Sequence, residues 1–379
     1  MSEVFCPHCM SDAAPGEQFC RFCGRELDLH AENHQLPIGT ILHSQAGHRY
    51  LFGKVKGGGG FGMTYISKEL GSGRVVAIKE YYPTRCQPQR RPDGTVIPMT
   101  AMEEIYRQGI QSFLSEASML RAVSNIPSIV HVLDYFEANG TAYMVMEYLD
   151  GTTLADFMQT QNRFEPTLLL QKLIPLMRDL ERLHEAGVVH RDIAPDNIML
   201  MPDGGLKLLD FGCARSLEDG KSMTVLLKPG FAPIEQYQTR GQGPYTDIYA
   251  LCATVYYCLT GKVPPAATER LTATFDGKTD PLLPPTGFGT ALSSEQERLL
   301  LWGLSLQPTV RPQSMAQLAD ALEKTLPAEQ TPGLNPTADT KQVKKKALLR
   351  RIKDFLKAHG LKLLLGLAVL VIVLLLIFR

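Results

Sequence analysis

The chain has 379 residues, 44% apolar and 21% charged, with 39 basic and 39 acidic side chains and a formal net charge of zero. This length accommodates two or three domains with a large core, and the charge balance excludes a global field drawing the protein to nucleic acid. Eight cysteines, four of them in two close pairs near the N-terminus, are not the framework of a small secreted domain; they point to metal binding in a reducing compartment.

Residues 1–26 contain Cys6-Pro-His-Cys9 and Cys20-Arg-Phe-Cys23, two C-x-x-C pairs with ten residues between them. Two thiolates three positions apart can bind one metal ion from a tight turn, and two such turns complete a tetrahedral zinc site. Gly24 suits a turn that needs positive φ. The segment resembles a zinc ribbon. His8 replacing one cysteine, and disulfides, are the alternative arrangements. A structural zinc substitutes for a core too small to fold alone, and leaves at most a docking surface for another protein. A redox-sensing role would rest on the same thiols. Residues 1–30 carry two Lys/Arg against five Asp/Glu, the wrong sign for phosphate contacts, so no nucleic-acid partner is expected.

Residues 27–44 read as a polar connector, and 45–325 as one continuous domain. Its first part is strand-rich: residues 75–79, VVAIK, and 142–149, AYMVMEYL, are rich in β-branched and aromatic side chains. After residue 152 the pattern turns helical. Leu169, Leu173, Leu176, Leu180 and Leu183 predict a helix over 167–186 with a kink at Pro175. Residues 247–259 are apolar nearly all round, as in a central buried helix, with Gly261 as its cap. A β-rich lobe followed by a larger helical lobe is an α+β arrangement. The basic stretch 85–91, RCQPQRR, reads either as a solvated loop or as a contact for acidic partners.

Gly57, Gly59 and Gly62 have G-x-G-x-x-G spacing, and glycines let a backbone approach phosphates closely. Lys79 ends the VVAIK strand, and Glu116 falls on a predicted helix. HRDIAPDN follows at 190–197, and DFG begins thirteen residues after Asn197. In this order the set resembles the protein-kinase signature over roughly residues 50–325, and is most similar to the eukaryotic-like Ser/Thr protein kinases of bacteria.

That resemblance implies a two-lobed fold and ATP with magnesium or manganese as cofactor. It implies that Lys79 holds the α/β-phosphates and pairs with Glu116, and that Asp192 orients the substrate hydroxyl and accepts its proton. Asn197 and Asp210 would hold magnesium. Met146 corresponds to the gatekeeper, the Glu147 carbonyl and Leu149 amide to the adenine contacts, and Thr64 to the residue covering adenine. Glu235 with Arg311, and Asp247, would be structural; Cys252 and Cys258 would be core residues, and Cys213 another, unless redox-sensitive. Arg191 would meet a phosphorylated activation segment, whose candidate sites are Ser216, Ser222 and Thr224, with Thr224 favoured by position.

The chain departs from the family at two places. Where a lysine usually follows the catalytic aspartate by two residues stands Ala194, and where a threonine usually precedes the closing glutamate by seven stands Lys228. One reading is that the cation has moved, with Lys228 reaching over Ala194 to Asp192; the other is that Lys228 is solvated or contacts substrate.

Residues 326–346 read as a flexible linker and 347–362 as a basic juxtamembrane segment. Residues 363–378, sixteen without a charge, read as a single transmembrane helix. Nine Lys/Arg against one acid over 341–362 predict that the kinase and ribbon face the cytoplasm of a bacterial inner membrane. No basic-then-apolar leader is visible at the N-terminus. The reading is therefore a membrane-anchored Ser/Thr kinase acting on protein substrates; the alternative is a pseudokinase scaffold binding partners through the same fold and the ribbon.

Overall fold

The computed structural model describes residues 4–161, 163–211, 215–216, 227–238 and 241–327. Cys213, Ser222, Thr224, the side chain of Ser216, nearly all of the predicted linker, and the basic and transmembrane segments lie outside them. Among the described residues no helix is long and apolar enough to cross a membrane.

The N-terminal lobe is built on strands β1 (Ile41–His43), β2 (Arg49–Gly59), β3 (Gly62–Glu69) and β4 (Val75–Tyr81). A short hairpin, β5 (Gln89–Arg90) and β6 (Val96–Ile97), precedes helix α1 (Glu103–Ala122), and β7 (Val132–Ala138) and β8 (Thr141–Glu147) complete the lobe. Six of the strands form an antiparallel sheet in the order β1-β2-β3-β4-β8-β7. Helix α1 buries Tyr106, Ile110, Phe113, Ala117 and Leu120, spaced three or four apart, against this lobe's core.

The glycine cluster is the hairpin between β2 and β3, and its glycines have different causes. Around Gly57 and Gly59 the space is open, whereas a Cβ at Gly62 would overlap the Glu80 carbonyl on β4. Gly62 is therefore required by strand approach. The register pairs Thr64 with Lys79, which sets the glycine hairpin beside the lysine.

Two expectations change in this lobe. Part of the connector belongs to the domain: β1 joins the sheet, and Leu36 is buried with its amide donating to Tyr65 Oη at 3.1 Å. The basic stretch is not simply solvated. Arg90 is enclosed and donates to Glu80 at 2.7 Å, and Glu80 also accepts from Tyr65 at 3.0 Å and Tyr143 at 2.8 Å. A buried carboxylate needs such partners, and the hairpin supplies the cation.

In the C-terminal lobe β9 (Thr152–Thr153) leads into α2 (Leu154–Gln161) and α3 (Pro166–Glu185). Glu165 caps α3 by accepting from the amides of Thr167 at 2.9 Å and Leu168 at 2.6 Å, with Pro166 at the first turn, where its missing N–H costs nothing. The five leucines read from the sequence are all buried. Then come β10 (Val188–Val189), β11 (Ile198–Leu200), β12 (Leu206–Leu208), β13 (Arg215–Ser216), α4 (Pro244–Thr260), α5 (Ala267–Phe275), α6 (Ser294–Gly303) and α7 (Met315–Glu323). Helix α4 is buried nearly all round, and Gly261 closes it in a left-handed cap, φ 71°.

Arg311, 2% exposed, donates to both oxygens of buried Glu235 at 2.6 and 3.0 Å and to the carbonyls of Ser305, Leu306 and Tyr245. Arg311→Leu would strand the carboxylate in the interior. It is expected to lower unfolding free energy by about 3–5 kcal/mol, measured by urea denaturation.

Candidate active site

The site is assembled on a buried carboxylate. Asp247, at the start of α4 and 0% exposed, accepts from the amides of His190 and Arg191 at 2.8 Å each, and lies 2.8 Å from His184 Nε2. Burial alone would raise its pKa; the His184 hydrogen bond and the neighbouring histidines outweigh that and hold it below the usual carboxylate range. Arg191 has φ 67°, a left-handed conformation unfavourable for a non-glycine residue, and the bond from its amide to Asp247 holds it there.

His190 links this loop to the next element. Its Nδ1 accepts from the Asp192 amide at 3.2 Å, so its Nε2 carries the proton and donates to the Leu209 carbonyl at 2.9 Å. Its ring packs 4.3 Å, centroid to centroid, from Phe211.

Asp192 is fixed at both oxygens. Asn197 Nδ2 donates to its Oδ2 and to its carbonyl, both at 2.8 Å, and Lys228 Nζ lies 3.2 Å from its Oδ1. Lys228 also donates to both oxygens of Asp196, at 3.0 and 2.9 Å. Between them Ala194 is extended and 0% exposed. The turn bearing Lys228 is itself anchored. The Lys228 carbonyl accepts from the amides of Phe231 and Ala232, and Gly230, at φ 87°, packs so tightly that a Cβ would lie 2.6 Å from the Pro264 carbonyl. Burial raises the Asp192 pKa against the opposing charges of Lys228 and His190. Burial lowers that of Lys228, but the two carboxylates reverse the shift, so it stays a cation.

Lys79, on β4 and buried, forms an ion pair with Asp210, which has φ 30°. Glu116 on α1 is close enough for the Lys79 charge to act on it, but burial dominates and pushes its carboxyl up to about 8. Among the described contacts the Lys79 ion pair is with Asp210, not with the expected Glu116. At the end of β8 the Glu147 side chain accepts from Lys207 and from the His131 amide, fixing the segment that leads to Leu149. Sequence reasoning passed over Asp196; its signal was an acid inside the same eight-residue motif as Ala194, placed to hold a displaced lysine.

At the N-terminus the Sγ atoms of Cys6, Cys9, Cys20 and Cys23 all lie within 4.8 Å of one another, with Cys6–Cys23 and Cys9–Cys20 at 3.7 Å. Four thiolates around zinc at about 2.3 Å stand roughly 3.8 Å apart, so the cluster fits that ion, and the four cysteines are not joined in disulfides.

A strand-rich lobe over a helical lobe, with these groups at their junction, defines a protein kinase domain, and the chain belongs to that family: the protein kinase domain matches residues 50–322. Among its relatives, the serine/threonine-protein kinase PknB of Mycobacterium tuberculosis is 29% identical over 284 residues, covering 73% of this chain and 42% of that protein. PknB of Mycolicibacterium smegmatis is 29% identical over 279 residues, covering 71% and 42%. The chain thus spans less than half the length of these relatives. A solved structure, the apo form of PpkA-294, superposes with a TM-score of 0.64 at 34% identity, covering 76% of this chain and 99% of that one.

Glu116 carries a stability signature. Its carboxyl in the folded chain titrates at about 8, above its ordinary 4.5, so between those values the folded chain holds the extra proton and stability falls as pH rises. Glu116→Gln removes that dependence. Its melting temperature should match wild type below pH 4.5 and exceed it increasingly up to pH 8, as read by thermal scans at each pH.

Proposed function

We propose that this chain is an ATP-dependent serine/threonine protein kinase that transfers the γ-phosphoryl group to protein hydroxyls. In this reading residues 363–378 anchor it in a bacterial inner membrane with its catalytic domain in the cytoplasm. The names of its relatives support the serine/threonine class.

The observation that carries the reading is Lys228 Nζ, 3.2 Å from Asp192 Oδ1 across Ala194. A site that had lost its chemistry would have no reason to retain a cation there by a second route. Asp192 accepts the proton of the attacking hydroxyl; the hydroxyl oxygen bonds to the γ-phosphorus as the bond to the bridging oxygen breaks, leaving ADP. Lys228 stabilises the negative charge of that transfer. Lys79 holds the α/β-phosphates, Gly57 and Gly59 let the backbone approach them, and the Glu147 carbonyl and Leu149 amide receive adenine. With Asn197 Nδ2 turned to Asp192, its Oδ1 and the Asp210 carboxylate form a hard oxygen set suited to magnesium or manganese. The ion would neutralise triphosphate charge. The four ribbon cysteines would hold one zinc.

In this reading Asp210 would hold the metal, and Lys79, now paired with Asp210, would hold the phosphates and pair with Glu116.

Lys228→Ala is expected to slow single-turnover transfer from labelled ATP by about 100-fold or more. Adding Ala194→Lys should restore part of the rate, while Asp192→Asn should remove transfer altogether. Normal transfer by Lys228→Ala would refute the relocated cation, and its absence in the wild-type chain would favour the scaffold reading.

A further inference from the structure

The two halves of the cysteine module are near copies. In the first, the Met10 amide donates to the Cys6 carbonyl at 2.8 Å and Phe5 bridges to Asp12; in the second, the Gly24 amide donates to the Cys20 carbonyl at 2.9 Å and Phe19 bridges to Glu26. The residue closing each turn is left-handed, φ 60° at Met10 and 70° at Gly24. Glycine occupies that conformation freely. A methionine there is strained by about 1–2 kcal/mol and needs compensation from its surroundings.

The compensation lies on the kinase lobe. Met10 is 1% exposed, and its sulfur lies against Gly53 of β2, where a Cβ would come within 2.7 Å of it and within 2.6 Å of the Pro7 carbonyl. The same Pro7 carbonyl accepts from the Lys54 amide at 2.8 Å. Ion pairs flank the contact: Lys54 with Asp28 at 2.9 Å and Lys68 with Asp12 at 3.2 Å. The contact falls where the β2–β3 register is irregular, between Phe52 and Val55 and again between Val55 and Gly57. Two residues beyond Lys54, Lys56 sits 5.9 Å over the ring of Tyr148, between Glu147 and Leu149. The first cysteine turn thus fills an irregularity in the strand that runs directly into Gly57 and Gly59.

We propose that Met10 and Pro7 are positioning residues for the nucleotide. They hold the Gly53–Lys54 bend of β2 and so set the height of the glycine hairpin over the phosphates. Zinc occupancy, which folds the turn that carries both residues, is then linked to nucleotide affinity. This rests on the reading that the thiolates hold zinc and the lobes bind magnesium–nucleotide. The linkage is reciprocal: nucleotide tightens zinc binding by the factor by which zinc tightens nucleotide binding.

Met10→Gly separates docking from metal binding, since it relieves the strained backbone and deletes the side chain that contacts Gly53. The full chain carrying it should retain one zinc per molecule by elemental analysis. It should bind magnesium–ADP about fivefold or more weakly in calorimetric titration, and show a raised KM for ATP with kcat within twofold. Gly53→Ala, which pushes from the other side, should do the same. In wild type, magnesium–ADP should raise zinc affinity, measured by chelator competition, by the factor that zinc removal weakens ADP; in Met10→Gly that gain should vanish. Zinc-loaded Met10→Gly with wild-type ADP affinity, or ADP affinity unaltered by zinc removal, overturns the proposal. A wild-type chain that holds no zinc overturns the thiolate assignment instead, and the ADP affinity of Met10→Gly against wild type still decides whether the docked turn positions the hairpin.

Discussion

Much of the site depends on one buried acceptor. Asp247 sits inside the helical lobe and takes two consecutive amides from the catalytic loop, one of them belonging to a residue in left-handed backbone. Without that acceptor the amides would be buried and unpaired, and Arg191 would relax toward ordinary backbone geometry. The carbonyl that Gln236 Nε2 meets at 2.6 Å belongs to this same Arg191, so the loop and the end of the activation segment share an anchor. Through His190 the anchor extends to Leu209 and Phe211, just before and after Asp210. The catalytic loop and the segment that carries Asp210 are therefore hung from α4, a helix buried nearly all round.

The sequence was informative where a pattern has one physical cause. Five leucines at helical spacing meant α3, an all-round apolar run ending in glycine meant α4, and paired C-x-x-C turns meant converging thiolates. It was less informative where a side chain's partner lies far along the chain. Nothing local in RCQPQRR shows that Arg90 neutralises Glu80 under two tyrosine hydroxyls. Nor does a polar connector advertise that Leu36 is buried beneath the sheet. The Lys79–Asp210 pair was hidden for the same reason: the two residues lie 131 positions apart, on different lobes.

Charge placement around Asp192 follows from enclosure. In a partly desolvated pocket a carboxylate needs donors, and here the Asn197 side-chain amide, from the same loop, and a backbone-anchored lysine, from a second segment, provide them. Asp196 adds a second acceptor for the lysine, so the ammonium bridges two acids instead of resting on Asp192 alone.

The glycines of the β2–β3 hairpin do not all bear on the same question. Gly62 is demanded by the Glu80 carbonyl behind it, and any chain keeping this hairpin against β4 must keep it, whether or not nucleotide ever enters. Gly57 and Gly59 face open space, and the sheet imposes no such demand on them. A chain drifting away from catalysis could accumulate side chains at those two positions while Gly62 stayed unchanged. As a diagnostic of a living kinase, the first two glycines therefore carry the weight, and the third records only that the lobe has folded.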